Sequence, residues 1–414
     1  MKRSIVPAIF LFFMTISLAH AGIHGTGMGG IKTVTSEGPG DISRNPALLG
    51  TMTADKSLAL FATARAYTIY DTELDVQTSS GDIKSVDQQT PLLLSGSVLA
   101  GYSFKSGSTV YGLSLEGYEG NLFSWESKEV DYVITLPPDI TETSKTKTTT
   151  ISPAINMALG YHTGNNRFLG FQVILGNKFE MEEENGLDST TKKTNQKHSI
   201  EMGFGYNYRD DNTEIGILVR TGTFTLEKRT REKDFSSGLS DSNSTEYWPK
   251  YDKGIQIVTG AYTKITQKTA IAMEFGYRFP VTFVEKSLGD DDNTSTVYED
   301  TIPVYSKGAI ILNGGVEYFL SDTSTINTGL GYQQYSAGGR DDGSVNKLSL
   351  SVLLWSVGYN RQLTPGSELS LLLITFRQKA EAMARFEDGS SSFELETDDT
   401  RYAFEIGGGI TYTF

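Results

Sequence analysis

Apolar and polar residues alternate with a period of two over long stretches of the chain, the spacing of a strand whose two faces meet different surroundings. Tyr402, Phe404, Ile406, Gly408, Ile410, Tyr412 and Phe414 share one face. Arg401, Ala403, Glu405, Gly407, Gly409, Thr411 and Thr413 share the other. Ile271, Met273, Phe275, Tyr277, Phe279, Val281 and Phe283 alternate with Ala270, Ala272, Glu274, Gly276 and Arg278. Ile200 to Tyr208 and Ile155 to Tyr161 repeat the pattern, with Glu201, Gly203, Gly205, Asn207, Ala154, Asn156, Ala158 and Gly160 between the apolar positions. Small or polar residues on the second face suit a polar lumen better than a packed soluble core. Two segments depart from this. The apolar phase slips around Leu353–Trp355 within Leu348–Tyr359, and Leu371–Phe376 is apolar on both faces, so either a bulge intervenes or the interior is partly apolar.

Short turn signals at Lys105–Ser108, Gly164–Asn166, Asp210–Asn212, Thr266–Lys268, Ser321–Ser324 and Leu363–Ser367 separate alternating segments. Longer polar stretches lie at 70–91, 119–148, 181–197, 228–252, 284–303, 337–344 and 385–400. Short turns alternating with long loops predict an all-β, transmembrane antiparallel β-barrel of about fourteen strands over 57–414, its termini on the short-turn side. The last strand ends on Phe414, with Tyr412 two residues before it. It resembles the terminal strand by which the barrel-assembly machinery recognises outer-membrane barrels.

Lys2 and Arg3, the apolar run Ile5–Leu18 and Ala19-His20-Ala21 read as a signal peptide, 1–21, cleaved before Gly22. No later apolar run reaches the roughly 18 residues of a membrane helix. Gly numbers 43, Tyr and Phe 21 each, Pro 11 and Cys 0, which leaves no disulfide or thiolate metal site. Mean hydropathy is −0.26, as expected when only alternate residues meet lipid. The net charge of −14 becomes −16 without Lys2 and Arg3, which argues against a nucleic-acid partner.

Residues 22–56 are Gly-rich and lack sustained alternation; they are either a structureless tail or a plug for a lumen that wide. Asp41-Ile42-Ser43-Arg44-Asn45-Pro46-Ala47-Leu48-Leu49 resembles the N-terminal hatch of the FadL/TodX family of hydrophobic-compound transporters, with Asn45, Pro46 and Ala47 matching the family's Asn-Pro-Ala element. The resemblance implies a fourteen-stranded barrel in the bacterial outer membrane, in contact with its lipid and lipopolysaccharide, monomeric as the family tends to be, and without a cofactor. It also implies a mechanism. A hydrophobic molecule such as a long-chain fatty acid is captured at the extracellular loops, the hatch shifts, and the molecule leaves sideways beside a kinked third strand.

The loop between strands three and four carries Leu122, Phe123, Trp125, Tyr132, Val133, Ile134 and Leu136, either a capture surface or a continuation of the strands. Gly117, Gly120 and Asn121 mark either a kink or a loop entry. For an anionic head group the inward cations Lys178, Arg220 and Arg278 are the candidates, with pairing to Glu201, Glu274 or Glu317 as the alternative; Arg209 abuts a turn. An enzyme is not expected, since His24, His162 and His198 lie beside no Ser or Asp constellation. Asp290-Asp291-Asp292-Asn293 lacks the spacing of a Ca²⁺ loop. The rival functions are a general porin and a structural or secretion-accessory barrel of the same fold.

Overall fold

The computed structural model describes residues 23–36, 38–78, 83–118, 121–134, 140–186, 189–291, 296–341, 344–388 and 391–414; the predicted signal peptide lies outside them. Fourteen strands meander in chain order. They are β1 (Lys56–Thr78), β2 (Ile83–Ser106), β3 (Thr109–Gly117, resumed at Phe123–Ile134), β4 (Ile140–Ile151, Pro153–Gly164), β5 (Arg167–Asn185), β6 (Ser189–Arg209) and β7 (Thr213–Arg220, Thr223–Phe235). There follow β8 (Ser240–Ser244, Trp248–Lys253, Gln256–Lys264), β9 (Thr269–Arg278, Val281–Asp291), β10 (Thr296–Ser321), β11 (Ser324–Asp341), β12 (Ser344–Thr364), β13 (Ser367–Asp388) and β14 (Ser391–Thr413). β14 pairs back onto β1 from Ser57↔Thr413 to Thr78↔Phe393, which closes the barrel. Asn165 and Asn166 both take positive φ at the β4–β5 turn, the backbone a two-residue hairpin loop requires.

The predicted alternation holds through the lower wall. Tyr402, Phe404 and Ile406 are exposed while Arg401, Ala403 and Glu405 are buried, and β5, β6 and β8 repeat the rule. Large apolar side chains are exposed outward and polar ones buried inward, the inverse of a soluble fold. This is a wall whose solvent is lipid.

Two expectations need correction, and one pair of alternatives is decided. Most of the polar stretches expected as loops are strands. The β5–β6 ladder runs from Arg167↔Tyr208 to Asn185↔Thr190, and β1–β14 reaches Thr78. Thr-rich and opposite-charge cross-strand pairs, Lys193 with Glu182 at 2.6 Å among them, hold these extensions with no apolar face to reveal them. Leu122, Phe123 and Trp125 therefore lie in or beside wall strand rather than in a long loop. Val281 and Phe283 do not share the outward face of Ile271–Tyr277. β9 breaks at Phe279-Pro280, where proline has no N–H for the ladder, and the phase inverts so that Phe283 is buried. No bulge interrupts Leu348–Tyr359, which pairs residue for residue with β13, so the apolar interior was the correct alternative there.

Candidate functional site

Residues 23–52 lie inside the barrel. A helix, Ile23–Gly27, rests against β12 and β13, and 3₁₀ turns Gly38–Ser43 and Pro46–Thr51 lie against the β1–β6 side. Asn45 caps the second turn, accepting from Ala47 N–H at 3.2 Å, and its amide donates to Thr33 O at 2.9 Å. Pro46 occupies the first helical position, where its missing N–H matters least. Arg44, 1% exposed, pairs with Asp41 at 3.3 Å and donates to the carbonyls of Ile31, Val34 and Thr35, which gathers the segment around one guanidinium.

The barrel meets this segment with carboxylates and glycines. Glu274 Oε2 accepts from Lys32 N–H, Thr33 N–H and Thr33 Oγ1 at 2.7–2.8 Å, while Oε1 accepts from Asn313. Glu214 accepts from Thr35 N–H, and Ser356 bridges Gly29 N–H and Gly27 O. Inward glycines on three neighbouring strands form the seat of Asn45-Pro46-Ala47. A Cβ on Gly160 would come 2.4 Å from Gly50 N, one on Gly170 2.2 Å from Ala47 N, and one on Gly205 2.0 Å from Asn45 Oδ1. Gly205→Val is expected to loosen the seat by about 1–3 kcal/mol, the usual range for overpacking, without unfolding the wall. Limited proteolysis within 30–50 beside the unchanged heat-dependent gel shift of the barrel measures it.

Beside this segment the lumen is apolar. Ala59, Phe61, Leu99, Val352, Leu354, Leu372, Ile374, Phe376 and Ala403 form one buried cluster across β12, β13, β14, β1 and β2. Arg65 reaches it from β1, its guanidinium 4.7 Å from the Phe376 ring centre and 2.6 Å from Glu405. Sequence reasoning passed over Arg65; its inward position opposite Glu405 needs the β1–β14 register to be seen.

The cluster ends at a break in the wall. β3 stops at Gly117 and resumes at Phe123. β2 pairs with it up to Ala100↔Leu115 and again from Gly96↔Phe123, so among the described residues Ser97, Val98 and Leu99 have no ladder partner on β3. Tyr118 turns inward and is buried with Ala154 and Ile174. Ser152 spans the break on the β4 side, its carbonyl accepting from Tyr118 N–H at 2.6 Å and its N–H donating to Leu122 O at 2.9 Å. Of the two readings of Gly117, Gly120 and Asn121, the kink fits this interruption; Gly120 itself lies outside the described residues.

The other predicted residues scatter. Phe123 is exposed on the outward face, Trp125 shares that face opposite exposed Leu94, and Leu122 lies half-buried at the break. The side chains of Tyr132, Val133 and Ile134, and Leu136 altogether, are outside what is described. Lys178 pairs with Glu180 at 2.7 Å, rather than with the carboxylates expected, and Arg220 with Glu201 at 3.4 Å, also donating to Ser43 O. Arg278 meets the Gln256 amide oxygen at 3.3 Å and the Tyr335 ring. Glu317 accepts from Tyr262. His162 stacks on Phe168, and His198 faces outward against Asn177.

No protein-family model matches the chain, and no curated protein is similar in sequence. Solved structures are similar. The toluene transporter TodX of Pseudomonas putida has a TM-score of 0.62 at 11% identity, over 97% of this chain and 100% of that one. A FadL homologue of Pseudomonas aeruginosa gives 0.58 at 13%, over 97% and 98%, and the toluene transporter TbuX of Ralstonia pickettii 0.54 at 11%, over 93% and 98%. Likeness at such identities carries the fold: the chain is a fourteen-stranded antiparallel transmembrane β-barrel with the fold of FadL/TodX-type barrels.

Proposed function

We propose that this barrel carries hydrophobic molecules across the outer membrane and releases them sideways between β2 and β3. One observation carries the reading. The apolar cluster of the lumen runs across five adjacent strands and ends at Leu99, one of the three β2 residues without a β3 partner. An apolar solute has no favourable path through water, and an apolar track ending at a gap in the wall offers one into hydrocarbon. Residues 22–56 act as the hatch, with Asn45-Pro46-Ala47 as its seated element. Its shift frees the track, because the helix Ile23–Gly27 lies against the same two strands, β12 and β13, that supply most of the cluster.

The substrate class is a small hydrophobe, a monoaromatic hydrocarbon or a long-chain fatty acid. For an acid, Arg278 is the head-group partner we favour over Lys178 and Arg220. Those two face carboxylates, whereas the partners seen for Arg278 are an amide and an aromatic ring.

The register supplies a direct test. Between the flanking pairs β2 has three residues and β3 has seven, while β4 has one against five. Deleting residues 118–121 equalises both counts and keeps every later side chain on its present face. The deletion variant is expected to fold, to keep binding a fluorescent hydrophobe in detergent, and to lose uptake into cells by about tenfold or more, as a continuous ladder closes the exit. Undiminished uptake by a folded deletion variant sinks the lateral route.

A further inference from the structure

The wall has a second discontinuity, on the far side and nearer the outer surface. The β8–β9 ladder runs from Lys264↔Ala270 only as far as Gln256↔Arg278. Above that level Trp248–Lys253 and Ser240–Ser244 of β8 pair with β7, while Val281–Asp291 of β9 pairs with β10; among the described residues no ladder joins β8 to β9 there. Irregularities on four strands mark the level: Thr221-Gly222 on β7, Gly254-Ile255 on β8, Phe279-Pro280 on β9, and a register shift between Ser306 and Gly308 on β10. The outer wall is thus two flaps, β7–β8 and β9–β10, each held by its own ladder.

Side chains hold the flaps together. Arg229 of β7 donates to the backbone carbonyl of Lys286 at 2.9 Å, and Arg231 to that of Leu288 at 3.0 Å. These carbonyls lie on Val281–Asp291, the stretch of β9 for which the described residues show no β8 ladder. Arg229 also pairs with Glu285, and Lys250 of β8 reaches the same carboxylate at 2.7 Å. Buried Trp248 lies 5.8 Å from each of the Arg229, Lys250 and Lys286 cations, with buried Phe283 beside Lys250. Outside, Tyr251, Ile255, Phe279 and Val284 are exposed and give the seam an apolar mouth.

We propose that this seam is a lateral entrance from the outer leaflet into the lumen, closed by an Arg229–Arg231 clasp and suited to an amphiphile with an anionic head. Above the Phe279 N–H to Ile255 O bond of 2.8 Å, where backbone contact between β8 and β9 ends, separating the flaps breaks a few side-chain bonds and leaves every ladder intact, whereas parting a paired wall would break a whole row of backbone bonds. The apolar mouth accepts the chain of such a molecule. Its carboxylate or phosphate then replaces Glu285 and the two carbonyls as partner of the guanidiniums. The entrance is separate from the exit proposed between β2 and β3 and does not require it.

The chain has no cysteine, so single thiols report cleanly. Phe283→Cys puts one behind the seam, and Ile374→Cys puts one within the fully buried apolar cluster, where it is reached only if the packing itself loosens. Full-length protein in liposomes is treated with an alkyl maleimide confined to the lipid phase, with and without Arg229→Gln and Arg231→Gln. The expected result is labelling at 283 that accelerates about tenfold or more when the clasp is removed, charge-assisted bonds of this kind shifting an opening equilibrium by that factor, with labelling at 374 unchanged. Heat-dependent gel migration confirms that the variants are folded. Equal acceleration at both thiols, or none at 283, overturns the entrance. The chemistry is read without any transport assay, so a barrel that moves no hydrophobe still answers the question. Dodecanoate and a dodecyl phosphate, added in turn, should each slow labelling at 283 only while the arginines are present; slowing that persists in the Gln variants rejects the anionic head group.

Discussion

Deleting residues 22–52 turns an electrically closed barrel into a conducting one. The full-length protein in a planar bilayer is expected to stay near baseline, and the deletion variant to show a steady ohmic conductance at least about tenfold higher, since a barrel of fourteen strands is wide enough to hold a water column unless something fills it. The filling here is 23–52. Met28, Ile31, Val34, Ile42, Leu48 and Leu49 are buried by packing on one another and on the inner wall. Their removal leaves Glu274, Glu214, Asn313 and Ser356 facing the lumen, polar groups that water satisfies, so the wall loses a lining without gaining orphaned donors. Closure of β14 on β1 involves none of the deleted residues. The control is heat-dependent gel migration. A full-length protein that already conducts at the level of the deletion variant would remove the hatch from the mechanism and favour a general porin.

The lower barrel is the most legible part of the chain. Each short turn predicted, from Lys105–Ser108 to Leu363–Ser367, falls where two strands meet, because one face sees lipid and the other the lumen, and that contrast writes the period of two. The upper hairpins were not legible. On β5 and β6 the stretches 182–185 and 189–197 are mainly Glu, Lys, Thr and Asn on both faces, and a strand polar on both faces carries no apolar alternation. The apolar track was visible only as a fault, the slipped phase at Leu353–Trp355 and the two-sided run Leu371–Phe376, because a lumen lined with apolar groups erases the contrast that marks a strand. Pro280 was a visible signal for the inversion that carries Phe283 inward. The third-strand break could be suspected from Gly117, Gly120 and Asn121, but its meaning lies in the mismatch of three β2 residues against seven on β3, which only pairing reveals. Likewise Gly160 and Gly205 read separately as small second-face residues; assembled with Gly170, which the alternation did not single out, they are the seat of Asn45-Pro46-Ala47.

Glu274→Leu should unseat the plug while leaving the barrel standing. One carboxylate oxygen gathers two backbone N–H groups and a hydroxyl from Lys32 and Thr33, and the other accepts from Asn313, whose amide also donates to Gly30 O. Leucine fills similar space but accepts nothing, so those donors stay buried without a partner. Each orphaned donor costs about 1–3 kcal/mol, and relaxation of the segment toward water limits the total to about 3–5 kcal/mol. That is comparable with the whole margin by which a segment of this length stays docked, so the seated state becomes a minority. Glu274→Gln keeps an acceptor oxygen but turns an N–H₂ group toward one set of donors, and should lie between the two. The wall carries the change, because the ladder pairs of Glu274 with Gly260 and Asn313 are backbone pairs and survive the loss of its side-chain bond to Asn313. Two measurements check this. Protease cleavage within 28–36 should rise in the order wild type, Gln, Leu, and single-channel records should show brief openings of the size seen after deletion, their frequency rising in the same order. Leu and wild type with the same cleavage rate and the same silence would mean that the segment is held by its apolar contacts and the Arg44 centre, with Glu274 a bystander.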